Sequence, residues 1–193
     1  MMWMEKNTWK KLHIDKGFTL AETLLAVLIL LMVTAIVATG IPVAKNAYEK
    51  VVLASNAEVL LSTTISSLRN ELGTAQNVKK QEAQSGEEAD SVITYYNAAR
   101  GASSKLFVEE TDKVIMLQRY FSEEGLSADY DAAPLVSSKT STQDLYVTYS
   151  SVSYDNDNGI VTFEGLSVNR TSGAEGLASR DNFSIRVISF PRA

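Results

Sequence analysis

The 193-residue chain contains no cysteine. That excludes disulfide frameworks, zinc–thiolate sites, iron–sulfur clusters and cysteine nucleophiles. It contains one histidine, His13, so neither a His-based catalytic triad nor a multi-histidine metal site fits in one chain. Proline occurs three times, and the two tryptophans, Trp3 and Trp9, both lie among the first nine residues. No paired carboxylate or Ser/Lys motif stands out, so enzymatic chemistry is not expected and no cofactor is called for. The net charge of −5 argues against nucleic-acid binding by the surface as a whole.

The charge is unevenly spread. Residues 1–17 carry Lys6, Lys10, Lys11 and Lys16 against Glu5 and Asp15, a balance of +2, and the remaining 176 residues carry −7. Residues 18–44 then read FTLAETLLAVLILLMVTAIVATGIPVA, with one charge, Glu22. About 20 apolar residues suffice to span a bilayer as a helix, and a backbone in lipid must satisfy its own hydrogen bonds. A basic segment ahead of such a run stays on the cytoplasmic side.

Three readings of this run compete. A cleaved secretory signal has an apolar region of about 7–15 residues, shorter than this one. A plain signal anchor fits the hydropathy. Both leave Glu22 unexplained, unless it snorkels to the headgroups from the first turn.

Lys16-Gly17-Phe18-Thr19-Leu20-Ala21-Glu22 resembles the processing site of type IV prepilins and type II secretion pseudopilins. The resemblance covers residues 1 to about 72 and, beyond them, only general architecture. It implies that a prepilin peptidase cuts after Gly17 and methylates the new amine on Phe18. It also implies that Glu22 of one subunit lies beside the N-terminal amine of a neighbour in a filament. A lone buried charge is costly and a paired one tolerable, so such a pair would fix register between apolar helices. The implied partners are the peptidase, other pilin or pseudopilin subunits, an inner-membrane assembly platform and the lipid bilayer. No nucleic acid is expected. The chain has no disulfide-closed C-terminal loop, which points to a minor pilin or pseudopilin.

The helical pattern continues past the membrane run. Residues 45–72 contain no Gly or Pro, and Leu61, Ile65, Leu68 and Leu72 follow three- and four-residue spacing, with Tyr48, Val51, Val52 and Val59 as earlier members. Gly73 is a stop signal. Residues 18–72 would form a helix of roughly 80 Å at 1.5 Å per residue. Its first half would pack on other subunits and its second half on the head. Gly40 and Pro42 predict a kink, because proline removes a helix hydrogen bond and crowds the preceding turn. In the resembled family this segment can unwind on assembly; a passive bend accounts for it equally well.

Residues 74–91 read as an exposed loop. Beyond them the period changes to two, and residues 92–96, 105–108, 114–121, 145–154, 160–168 and 183–190 are strand candidates. Asn158-Gly159 suits a hairpin turn. Residues 122–144 and 169–182 read as surface loops. The expectation is an α+β fold, a long N-terminal helix packed on an antiparallel β head, in four parts: leader 1–17, assembly helix 18–44, amphipathic helix 45–73 and head 74–193.

Asp155 and Asp157 suit either a plain turn or a calcium loop, but the spacing of an EF-hand is missing. Asn169 and Asn182 match the short N-glycosylation pattern. Arg100, Lys105, Arg119, Arg170, Arg180, Arg186 and Arg192 are dispersed without interleaved aromatics, so they read as solvated surface rather than a nucleic-acid strip.

Overall fold

A computed structural model describes residues 19–120, 132–136, 144–171, 173 and 176–187. Among the described residues one helix, α1 (Leu20–Leu72), precedes eleven strands. By internal contacts the chain divides into two units, Met1–Tyr48 and Glu49–Ala193.

In the first unit, α1 is long and apolar enough to cross a membrane, and its most apolar window buries nothing. Every described residue up to Val51 is exposed, including Leu25, Leu28 and Ile36. The helix continues through Gly40 and Pro42. Pro42 has no N–H to give the carbonyl four residues earlier. Threonines nearby turn their hydroxyls onto the backbone: Thr39 Oγ1 donates to the Ala35 and Ile36 carbonyls at 3.1 and 3.0 Å.

In the second unit, α1 supplies Ala57, Leu61, Thr64, Leu68, Glu71 and Leu72 to the interior. Helix neighbours three and four apart share a face, so these residues form one stripe. The earlier stripe members behave differently from the sequence expectation. Tyr48, Val51 and Val59 remain 71, 67 and 63% exposed, because they lie off the line that runs through Ala57 and Leu61. The helix stops at Leu72, where the Gly73 N–H caps the Arg69 carbonyl at 2.8 Å. A Cβ on Gly73 would lie 2.7 Å from that carbonyl, which is why the stop needs glycine.

The first sheet is an antiparallel meander in chain order: β1 (Ala75–Lys80), β2 (Ile93–Asn97), β3 (Ala102–Val108), β4 (Ile115–Tyr120) and the two-residue β5 (Ala133–Pro134). β1 corrects the reading of 74–91 as loop throughout. Its AQNVKK sequence carries no apolar alternation; Ala75 and Val78 reach the core, three residues apart, and ladder bonds to β2 complete the strand. β5 likewise lies inside a stretch read as loop.

The remaining strands are β6 (Leu145–Thr148), β7 (Ser151–Asp155), β8 (Ile160–Glu164), β9 (Leu166–Arg170), β10 (Ala178–Arg180) and β11 (Phe183–Arg186). They form two three-stranded sheets, β10-β9-β6 and β11-β8-β7. The pairing register of β6 with β9 is the same as that of β7 with β8. The register of β10 with β9 likewise continues into that of β11 with β8. The two sheets are therefore one long three-stranded ribbon, bent across Ser150, Gly165 and Asn182. Gly165 and Asn182 take positive φ there, 63° and 53°. Sequence periodicity found the long strands 145–154 and 160–168 and missed the bend. β10 escaped because its AlaSerArg core is too short to alternate.

The core joins the helix stripe to both β layers. Tyr149, Phe163, Leu106, Leu145 and Leu166 are fully buried. Tyr149 meets Phe163 edge-on at 5.1 Å and gives its hydroxyl to the Ser91 carbonyl at 2.6 Å. This is the α+β arrangement expected, with the α1 stripe in the core beside antiparallel strands.

Candidate functional site

Gly17 and Phe18 lie outside the described residues. The described chain opens on Thr19, and Thr19 caps α1. The Glu22 N–H is shared between the Thr19 carbonyl at 2.9 Å and the Thr19 hydroxyl at 3.3 Å. Thr-x-x-Glu is the capping-box pattern, in which the hydroxyl satisfies a free N–H of the first turn. A carboxylate in that turn is also favoured by the helix dipole. Glu22 thus has a local role in starting the helix, and the Thr19–Glu22 spacing was the sequence signal for it. Gly40 and Pro42 lie in the exposed part of α1, and a Cβ on Gly40 would meet nothing within 4 Å.

The head holds two charged clusters that the sequence reading did not find. Glu71, in the last turn of α1, is 4% exposed. Its carboxylate accepts from Asn97 Nδ2 at 3.1 Å and faces Arg119 Nη2 at 3.3 Å and Arg100 Nε at 3.4 Å. Asn97 also reaches the Glu71 carbonyl, while its own Oδ1 accepts from Thr74. The cluster ties the helix end to β2, β4 and the β2–β3 turn. A carboxylate beside C-terminal helix carbonyls is disfavoured by the dipole, and the two guanidiniums offset that. Position 71 falls on the stripe of Ala57, Leu61, Thr64 and Leu68, so an acid there was the available sign of a buried partner.

Lys105 corrects the reading of the basic residues as solvated. It is 3% exposed and pairs with Glu87 Oε1 at 2.5 Å. Two further pairs, Lys113 with Glu88 and Lys80 with Asp90 at 2.7 Å, hold the same segment, residues 81–91. Three carboxylates within four residues meet three lysines from β1, β3 and the β3–β4 connection. Burial lifts the phenols of Tyr149 and Tyr95 well above their ordinary range, so both stay neutral.

Asp155 and Asp157 lie in the β7–β8 turn. The Asp155 carboxylate accepts from the Asp157 and Asn158 amides at 3.0 and 3.2 Å and from Asn158 Nδ2 at 2.6 Å. Its oxygens are thus spent within the turn, and among the described residues no group of three His, Asp or Glu could hold a metal. The turn uses positive φ at Gly159, 63°. Asn169 is likewise engaged, accepting the Gly176 N–H at 2.7 Å.

A cavity of about 470 Å³ opens on the first sheet and is lined by residues of β1 to β4, among them Tyr96, Ser103 and Tyr120. A smaller one of about 250 Å³ adjoins Glu71, Arg100 and Arg119.

Compared with family models, curated proteins and solved structures, the chain has no match.

Proposed function

We propose that this chain is the precursor of a prepilin-like structural subunit. The subunit is cut after Gly17, N-methylated on Phe18 and assembled through α1 into a type IV pilus, a type II secretion pseudopilus or a competence filament. The observation that carries this reading is one juxtaposition. A basic leader and the Gly17–Phe18 junction stand directly before a helix whose first 25 residues, Leu20–Ala44, carry no charge but Glu22 and bury nothing in their own chain. Contiguous apolar surface of that extent belongs against lipid or other apolar helices. The leader stays cytoplasmic, α1 crosses the inner membrane, and the head lies outside, in a surface or periplasmic filament. Its partners are the prepilin peptidase, other pilin or pseudopilin subunits and the assembly platform.

Intact-mass measurement of membrane-extracted protein tests the cut. The expected mature chain begins at a methylated Phe18. It lacks Trp3, Trp9 and His13, so its fluorescence is that of tyrosine alone. Gly17→Trp should block processing and leave a folded head on an uncut precursor. An uncut Met1 in the wild type, or a terminus near Gly40, refutes the reading.

The Thr19–Glu22 cap favours a second reading, a membrane-anchored extracellular binding domain that does not polymerise. There Glu22 serves only to start the helix. The two readings separate at Glu22→Ala. In a filament, removing one partner of a buried pair leaves a charge uncompensated at several kcal/mol, so incorporation should fall by about tenfold or more while cleavage persists. Glu22→Gln, which keeps an acceptor oxygen, should fall less. Sheared-filament fractions at equal membrane levels give the comparison: absence of the wild type from that fraction supports the anchor, whereas equal incorporation of all three forms keeps the filament and overturns the register role of Glu22.

A further inference from the structure

We propose that the cleft between the end of α1 and the β4–β5 edge binds a small monocarboxylate with an apolar body, its charged end held by Arg100 and Arg119. This goes beyond the assembly reading and does not depend on it.

Glu71 leaves both guanidiniums with donors to spare. Its Oε1 accepts from Asn97, and its Oε2 alone faces both arginines, at 3.3 Å from Arg119 Nη2 and 3.4 Å from Arg100 Nε. Charge-assisted pairs close to about 2.7–2.9 Å, and the strong ones are bidentate. Neither pair here is closed or bidentate, although each guanidinium carries five N–H donors. Arg119 Nε is buried without an acceptor. Among the described residues Glu71 is the one acceptor of either guanidinium. The arginine side chains are 32% (Arg119) and 56% (Arg100) exposed against 6% for Glu71. The carboxylate thus closes the back of the cluster, and both arginines line the cleft in front of it.

The charge count sets the valence of the ligand. Two cations against one carboxylate leave one positive charge. A monoanion restores balance, whereas a phosphate dianion would overshoot beside the like charge of Glu71. The planar fork of a guanidinium also matches a carboxylate.

Helix and sheet supply the rest of the wall. Ser67, Asn70 and Glu71 are three and four residues apart and so share one side of α1. The Ser67 hydroxyl and the Asn70 amide line the cleft and can donate to a carboxylate oxygen. Leu117 and Arg119 are two apart on β4 and so share a sheet face. Ala133 pairs with Leu117 across β4 and β5, and Pro134 and Leu135 continue the apolar rim. The cleft is therefore cationic towards Arg119 and apolar towards Leu117 and β5. At about 250 Å³ it lies below the range of about 300–1,000 Å³ that holds drug-sized ligands. A short branched or aromatic acid meets all of these demands.

Titration calorimetry of the full chain in neutral detergent, against a protein-free micelle blank, tests the proposal. The probes are isovalerate and benzoate, with isovaleramide and benzamide as uncharged counterparts and inorganic phosphate as a bare oxyanion. At least one carboxylate should bind saturably, and the amides and phosphate should bind at least tenfold more weakly. Arg100→Gln should weaken binding about tenfold, as loss of a charged hydrogen bond does. Glu71 keeps Arg119 and Asn97 in that variant, so its thermal midpoint should hold. Arg100→Lys keeps the charge but loses the fork, and should fall between Arg100→Gln and the wild type. Ser67→Phe, which fills the cleft with both arginines in place, should abolish binding. Absence of saturable binding by both carboxylates overturns the proposal. So does an amide or phosphate that binds as tightly, or binding that Arg100→Gln or Ser67→Phe leaves unchanged.

Discussion

Leu28 and Leu68 belong to one α-helix, yet Leu28 is 54% exposed and Leu68 is fully buried. The stretch around Leu28 is apolar on all sides, so no rotation about the helix axis gives it a preferred inner face. The stretch around Leu68 is apolar on one stripe only, with Ser66, Arg69 and Asn70 turned outwards. A helix of the second kind is satisfied by its own strands, while one of the first kind needs apolar surroundings that its own chain does not supply. One continuous element thus answers to two solvents, and hydropathy and periodicity each detect only one of its halves.

The largest test of that contrast is Leu→Ala at both positions. Leu68→Ala should lower head stability by about 3–5 kcal/mol, the transfer cost plus the cavity left in a packed core. Leu28→Ala should leave head unfolding unchanged. Urea denaturation followed by tyrosine fluorescence of the detergent-solubilised protein gives both values. A comparable loss at Leu28 would mean that the head draws on the apolar half for its fold.

The same contrast explains which parts of the molecule could be read beforehand. Long periodic or uniformly apolar segments carry their structure in local pattern, so α1, its stop at Gly73, the β7–β8 hairpin and six strand regions were legible. β1 was not, because its two buried residues, Ala75 and Val78, stand three apart across a shift in register, so the strand shows no period-two pattern. The bend at Ser150, Gly165 and Asn182 was hidden because it needs two strands to be compared at once. The clusters around Glu71 and Lys105 join residues 26 to 48 positions apart in the first case and 18 apart in the second. Such pairings arise from sheet order, which spacing along one chain does not encode. The capping role of Thr19 was local and could have been read from Thr-x-x-Glu.

Glycine sharpens the comparison by a change of sign. Gly40 lies in the apolar half with open space around a Cβ, so Gly40→Ala should stabilise the helix by up to about 1 kcal/mol. Gly165 sits at φ 63°, and a Cβ there would press on Ser150 Oγ, with Ser150 Cβ 3.3 Å away. Gly165→Ala should cost about 1–2 kcal/mol for the left-handed backbone alone, plus the clash. Adding Ser150→Ala should recover the steric part and leave the backbone part. Thermal midpoints of the single and double variants separate the two. If Gly165→Ala is neutral, the ribbon is not bent there.

The smallest expected effect lies at the hairpin tip, where residues 155–158 are exposed. Hydrogen bonds from Asn158 and Asp157 hold the Asp155 carboxyl below its ordinary value of 3.8. Folding therefore favours the ionised form. The contribution is complete above the unfolded pKa and is lost as pH falls through the folded one, a window below about pH 4. Because the tip is exposed, solvent screens the effect and overall stability should barely move. The signature is local. The amide resonances of Asp157 and Asn158 should titrate together with a midpoint below 3.8, and Asp155→Asn should flatten both curves. Calcium should shift neither resonance, since both Asp155 oxygens already accept hydrogen bonds within the turn. A midpoint at or above 3.8, or a calcium-dependent shift, would show that the tip is not held by its own hydrogen bonds. The contrast would then run between a core-facing stripe and everything outside it, with the hairpin grouped beside the apolar helix.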